Sequence, residues 1–340
     1  MKRIVFSLLF FLSLFHTSAQ IFREKELHVS VEPFVAVSRG TLGEMMYYDS
    51  FYDSSRKISY LEWEKNLFLF GMSTELEYKK IHFEAGAASS FFEQNSGEMR
   101  DSDYLNPEDY SMKTTYSIGD NSAVENYEFH ASLYYDFETL SWLTLSPLVG
   151  FSYSYDSFER REAEGWYSDG KHWWYDETSI HYPQNYWNGS RNVTLKLAQI
   201  DFYRKTFTTW AGFKAKITPY RRLHFIFDLL ISPYSYFYAV DSHHAQESVT
   251  KKMYKRHYKM IQTSYMNMLL LSAGAVFSVN EIFDITIGCF YSFTFEAERG
   301  TLYTDYVAGD RQDKYYKSGQ DSGTSTENFT AKLGCKIKIR

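Results

Sequence analysis

The stretch Phe329-Thr330-Ala331-Lys332-Leu333-Gly334-Cys335-Lys336-Ile337-Lys338-Ile339 decides the fold. Phe329, Ala331, Leu333, Cys335, Ile337 and Ile339 alternate with Thr330, Lys332, Lys336 and Lys338, so an extended chain carries one apolar and one polar face. Strands of this length with two such faces are what a barrel wall between lipid and a wet lumen needs. Near the other end, Val29, Val31, Val35 and Val37 fall on one face in the same way. Helical periodicity is hard to find between them.

Turn residues divide the chain into strands expected near 28–39, 58–77, 81–99, 123–137, 143–158, 193–217, 223–241, 258–277, 283–299 and 326–339. That is ten, the even number that puts both ends of a single-chain barrel on one side. Four connections are short: Tyr78-Lys79-Lys80, Glu138 to Trp142, Thr218 to Arg222, and Ser278 to Ile282. Five are long and polar, spanning 40–57, 100–122, 159–192, 242–257 and 300–325. Short and long alternate strictly. A β-sandwich has no reason to place every long loop at one end. The expectation is an all-β chain: a ten-stranded antiparallel transmembrane β-barrel with long extracellular loops and short periplasmic turns.

Composition agrees. Of the 340 residues 19% are aromatic, which excludes disorder, and only 6 are Pro, which suits long ladders. Mean hydropathy is −0.42, and past the first residues no stretch approaches the length of a spanning helix. Residues 1–19 read as a signal peptide: Lys2 and Arg3, the apolar run Ile4 to Phe15, then Thr17-Ser18-Ala19 as a small-residue cleavage site. Residues 20–340 then form one barrel domain. A net charge of −6 argues against nucleic acid as a partner. Cys289 and Cys335 are too few for a disulfide framework or a multi-ligand zinc site, and read as small apolar strand residues. No metal or organic cofactor is implied.

Two clusters on the long-loop side could carry chemistry. In Arg100-Asp101-Ser102-Asp103-Tyr104, Asp101 and Asp103 share a strand face, and two close carboxylates cannot easily both ionise. In Asp241-Ser242-His243-His244, Asp241 and His243 share a face, and an Asp beside a His fixes its tautomer and raises its basicity. Alone, the first reads as a solvated acidic loop and the second as a surface turn; a metal site would need His172, His181 or His244 to converge by chance. Together they say more. The two strands run outward on nearly opposite walls, so the pairs face each other across the mouth, where His243 could deprotonate a water held by the Asp pair. Trp166, Trp173, Trp174, Tyr175 and Trp187 in the longest loop read as loop packing or an aromatic girdle.

Over nearly the whole chain after residue 19, this pattern resembles the omptins, bacterial outer-membrane endopeptidases built as ten-stranded barrels. The resemblance is sharpest at Gly40-Thr41-Leu42, Arg56-Lys57-Ile58-Ser59-Tyr60-Leu61-Glu62-Trp63 and Met99-Arg100-Asp101-Ser102-Asp103, and Asp241-Ser242-His243 falls at the family's Asp-x-His position. It implies an aspartic endopeptidase acting on extracellular proteins or peptides, with Asp101, Asp103, Asp241 and His243 catalytic. It also implies a preference for cleavage beside basic residues, with Glu44 as a recognition residue. Three departures stand out. The family's second recognition carboxylate is Ala239 here. Its lipopolysaccharide-binding Tyr, Glu and Arg are matched by Phe151, Tyr153 and Tyr155, so dependence on lipopolysaccharide is not expected, although an outer-membrane lipid remains a partner. The chain also ends Lys338-Ile339-Arg340 instead of on an aromatic residue. The rival readings are a non-catalytic barrel acting as an adhesin and, less well suited to ten strands, a pore.

Overall fold

In a computed structural model, residues 27–49, 56–104, 113, 115–167, 193–195, 199–246, 253–307 and 310–339 are described. Among them there is no helix, and seventeen strand segments form one antiparallel sheet. First come β1 (Leu27–Asp49), β2 (Lys57–Glu64), β3 (Leu67–Tyr78), β4 (Ile81–Ser89), β5 (Gln94–Asp103) and β6 (Thr115–Tyr135). The short β7 (Phe137–Leu140) leads to β8 (Leu143–Arg160), β9 (Ala163–Tyr167), β10 (Val193–Leu195) and β11 (Ile200–Tyr220). The chain continues through β12 (Leu223–Ile231), β13 (Ser235–Gln246), β14 (Met253–Ser264) and β15 (Met268–Ser278) to β16 (Phe283–Val307) and β17 (Asp310–Ile339).

The sheet closes on itself. β1 pairs with β17 from Val29 opposite Ile339 to Glu44 opposite Thr324 and beyond, and its other edge pairs with β3 and then β2. Around the short-turn end the ring runs β1, β3, β4, β6, β8, β11, β12, β15, β16, β17 and back to β1. Around the long-loop end β2, β5, β13 and β14 replace β3, β4, β12 and β15. The seventeen segments are therefore ten strands, because β2 and β3, β4 and β5, β6 and β7, β8 and β9, β10 and β11, β12 and β13, and β14 and β15 each continue one another; four of these breaks are at residues 65–66, 90–93, 232–234 and 265–267.

The expected short turns are present at 79–80, 141–142, 221–222 and 279–282. The long-loop end departs from expectation: residues 40–49, 100–103, 115–122, 242–246, 253–257, 300–307 and 310–325 are strand, not loop. Beyond the lipid the outer face need not be apolar, so the alternation that marks a strand disappears while the ladder continues. Residues 1–19, with Trp173, Trp174, Tyr175 and Trp187, lie outside the described residues. Cys289 and Cys335 both stand free, Cys289 donating to Ala273 O at 3.4 Å.

An apolar band circles the outside, carried by side chains such as Val149, Phe213, Leu229, Ile287 and Leu333, each about half exposed. Exposed aromatics rim it at both edges: Tyr78, Trp142 and Tyr220 near the short turns, Phe91, Phe92 and Tyr265 at the strand breaks. Such a band between two girdles is the outer surface of a lipid-facing barrel.

The lumen is layered. Near the short turns a cavity of about 590 Å³ is lined by opposite charges. Lys332 holds Glu32 at 2.8 Å, Lys336 holds Glu75 at 2.7 Å, Lys214 holds Glu84 at 3.2 Å, and His82 bridges Glu75 and Asp136 at 3.1 Å each. Above this the wall turns apolar, with Tyr134, Leu148, Trp210, Leu230, Phe237 and Met268 in one cluster. A second cluster contains Trp63, whose ring stacks on Phe202 at 5.2 Å and on Phe158 at 5.9 Å. Leu229 faces outward within the band, so Leu229→Arg should destabilise the barrel refolded in lipid by on the order of 2 kcal/mol or more. Denaturant unfolding from vesicles measures this; a neutral result would mean that this face does not contact hydrocarbon.

Candidate active site

The sequence places Asp101 with Asp103 and Asp241 with His243 on common faces; the structure decides which face. In β4 the buried, inward positions are even-numbered, His82 and Ala88, but in β5 Met99, Asp101 and Asp103 point inward. The change follows the break at 90–93 and a bulge between Asn95 and Gly97, where Gly97 takes φ +112°. An extra residue reverses every later side chain, and Gly97 is suited to that backbone because it carries no Cβ. The break at 232–234 does the same on the opposite wall: Asp228 and Leu230 face inward below it, Phe237, Ala239 and Asp241 above it. Neighbours of the paired residues turn away. Arg100 bonds Glu62, Glu64 and Glu98 at 2.7–2.9 Å, Ser242 meets His257 Nδ1 at 2.7 Å, and His244 meets Asp201 at 3.2 Å.

Cross-strand register aligns the site. Thr324, Glu44, Leu61, Asp101 and Ser117 form one rung across β17, β1, β2, β5 and β6. Asp103 stands opposite Ser59, which hydrogen-bonds its carboxylate. Across the mouth, Asp241 stands between Phe202 and Tyr258. His243 Nε2 lies 2.6 Å from Asp241 Oδ2, a short charge-assisted contact. With Nε2–H donated to Asp241, Nδ1 is the ring nitrogen left to accept a proton. The edge of the Tyr258 ring packs against the imidazole, centroids 5.4 Å apart.

These groups lie above the lipid-facing band, and their charges reach one another. Burial pushes Asp101 up, with His243 and a nearby Arg160 pulling it back down. Burial and then the charge of Asp101 push Asp103 up to about 7. Burial works against the charged form of His243, but the charge and hydrogen bond of Asp241, with Asp101 behind them, outweigh it and raise the imidazole. Glu44 is 3% exposed, and burial, then Asp241, push its carboxyl well above the ordinary carboxylate value; the Trp63 indole and Arg204 oppose the rise. The expected four and Glu44 are therefore brought into one electrostatic unit.

Sequence reading missed three members of it. Arg160, 1% exposed, donates to Ser117 Oγ at 3.0 Å and sits on β8, midway around the wall between the Asp pair and the dyad. Tyr258 feels both Asp241 and Asp103. Arg204 lies one rung below the dyad, opposite Ala239. Alternation along the strands could have marked all three as inward, but nothing local says which inward residues meet across a lumen.

No protein-family model and no curated protein matches the chain. Among solved structures it is similar to the outer membrane protease OmpT from Escherichia coli, with TM-score 0.76 and 15% identity over 92% of this chain and 97% of that one. The translocator domain of the autotransporter NalP from Neisseria meningitidis matches at TM-score 0.31 and 8% identity, covering 99% of this chain and 97% of that one. Ail, the attachment invasion locus protein of Yersinia pestis, matches at 0.23 and 11% identity over 92% and 99%. The likeness to OmpT is one of fold: a closed antiparallel barrel of that architecture.

The charge and hydrogen bond of Asp241, acting against burial, should make the His243 imidazole titrate above the ordinary histidine value, and Asp241→Asn should lower it. NMR titration of histidine ring protons reads this without substrate. An unchanged value in the variant would show that Asp241 does not govern the imidazole.

Proposed function

We propose that the chain is an outer-membrane endopeptidase of omptin type that hydrolyses extracellular proteins or peptides. Residues 1–19 direct export, the short turns face the periplasm, and the site opens outward. The observation that carries the reading is the Asp241–His243 contact at 2.6 Å, on a wall opposite two inward carboxyls whose pKa values it influences. The fold likeness to a protease of the same architecture supports it.

In this reading a water sits between His243 and the Asp pair. His243 Nδ1 takes its proton as the oxygen attacks the scissile carbonyl, and Asp241 stabilises the imidazolium that forms. Asp103, pushed up to about 7, keeps a proton over much of the neutral range. A neutral carboxyl can donate to the developing oxyanion, as an ionised one cannot. Asp101, where the charge of Arg160 opposes the rise that burial imposes, is the partner that orients the water. Collapse of the intermediate returns the proton from His243 to the leaving amine.

The signs fix a pH profile. His243 works as a base only when neutral, so kcat/KM should fall as pH drops through its raised pKa, and rise less steeply or decline once Asp103 loses its proton. Asp241→Asn should move the acid limb to lower pH. Digestion of a diverse peptide library by the refolded barrel, with and without added lipid, tests the whole. Asp101→Ala and His243→Ala should each cost about 10²–10⁴-fold. If the parent protein cuts nothing in any lipid, hydrolysis is refuted and the adhesin reading takes its place.

A further inference from the structure

Arg204 does not belong to the water-activating group, yet it occupies the ground directly beneath it. It is 3% exposed, and its register partners are Asp156 on one side and Ala239 on the other. Asp241 is two residues above Ala239 on the same inward face, so the Arg204 rung lies about 7 Å below the dyad carboxylate. From β11 the side chain crosses the lumen to β17, where Nη1 donates to Thr324 Oγ1 at 3.0 Å and approaches Ser325 O at 3.4 Å. Thr324 is the cross-strand partner of Glu44. The guanidinium thus ends beside the buried carboxyl that a basic substrate side chain would have to reach.

We infer that Arg204, and not a substrate side chain, is the cation facing Glu44, so that the subsite beneath the dyad takes an uncharged side chain. This rests on the endopeptidase reading and replaces the basic preference that the family resemblance implies. The balance of charge agrees with the geometry. Asp156 is already held by Lys65 at 2.6 Å and by Arg204 at 3.8 Å, and the charge of Arg204 also acts on the buried Glu44 carboxyl. The remaining wall is apolar: Leu42, Trp63, Phe202, Ala239 and Leu302 belong to one buried cluster. A second guanidinium or ammonium entering here would meet the like charge of Arg204 and surrender its hydration to a wall of low polarity.

The test is cleavage-site mapping by mass spectrometry on a diverse peptide library, using the full refolded chain. The parent should cut beside uncharged residues, with Arg and Lys at the cut depleted by about tenfold or more. Arg204→Gln unshields Glu44, and Ala239→Asp gives Arg204 a carboxylate of its own on the same rung. Each should raise the share of cuts beside basic residues by about tenfold. Should Arg204→Gln fail to fold, as heat-dependent gel migration reveals, Ala239→Asp decides. A parent that cuts beside Arg or Lys overturns the inference while leaving the endopeptidase standing. So do variants that both keep the parent profile. A parent that cuts nothing removes the endopeptidase reading itself, which distinguishes the two failures.

Discussion

The ladder between β1 and β17 is the constraint on which the rest depends. In hydrocarbon every backbone N–H and C=O must be bonded within the protein, so a sheet can cross lipid only if its first and last strands meet. Val29 opposite Ile339 and Ala36 opposite Lys332 are where they meet here. Once closed, the wall allows each side chain only two directions, and the lumen of ten strands has room for little besides side chains. Every inward residue must therefore find a partner inside, pack against apolar neighbours, or remain strained as a titratable group. The three layers of the lumen are those three solutions in order.

The layers also explain one another. The ion pairs near the short turns satisfy charges that a narrow lumen would otherwise desolvate at a cost of several kcal/mol each. The apolar layer above them, with Trp63 between Phe158 and Phe202, removes water from beneath the site. Low polarity there is what raises Asp103 and Glu44, and it also makes a charge in the floor expensive unless paired. Arg204 meets that requirement through Thr324 and Asp156. The same filling argues against a continuous aqueous pore.

Much of this was legible in the sequence because lipid imposes a pattern. The alternation of Phe329 to Ile339 and the turns at Lys79-Lys80 or Arg221-Arg222 survive any error of a residue or two, and the ten strands follow from them. The outer halves of the strands were not legible, since Glu44 and Met45, or Gly323 and Thr324, are buried whatever face they occupy and show no period of two. Within the site, spacing established that Asp101 goes with Asp103 and Asp241 with His243. That Arg160, Tyr258 and Arg204 meet them depends on register across several strands, which no local pattern encodes.

The strand breaks separate two demands that a continuous strand would tie together. If β4 ran unbroken into β5, the face pointing to lipid at Phe83 would dictate which face pointed to the mouth at Asp101, and Arg100 would turn inward instead. The bulge before Gly97 and the break at 232–234 each reset that parity above the lipid. The backbone groups released there are recovered locally: Asn66 N donates to Ser96 O at 3.2 Å, and Ser232 N to Met268 O at 2.9 Å. The lower barrel is thus bound by the bilayer and the upper barrel by the site, with a few irregular residues between them. Two walls needed the correction to aim their acids at each other, whereas β8 and β11, which bring Arg160 and Arg204, keep one parity from the short turns to the mouth.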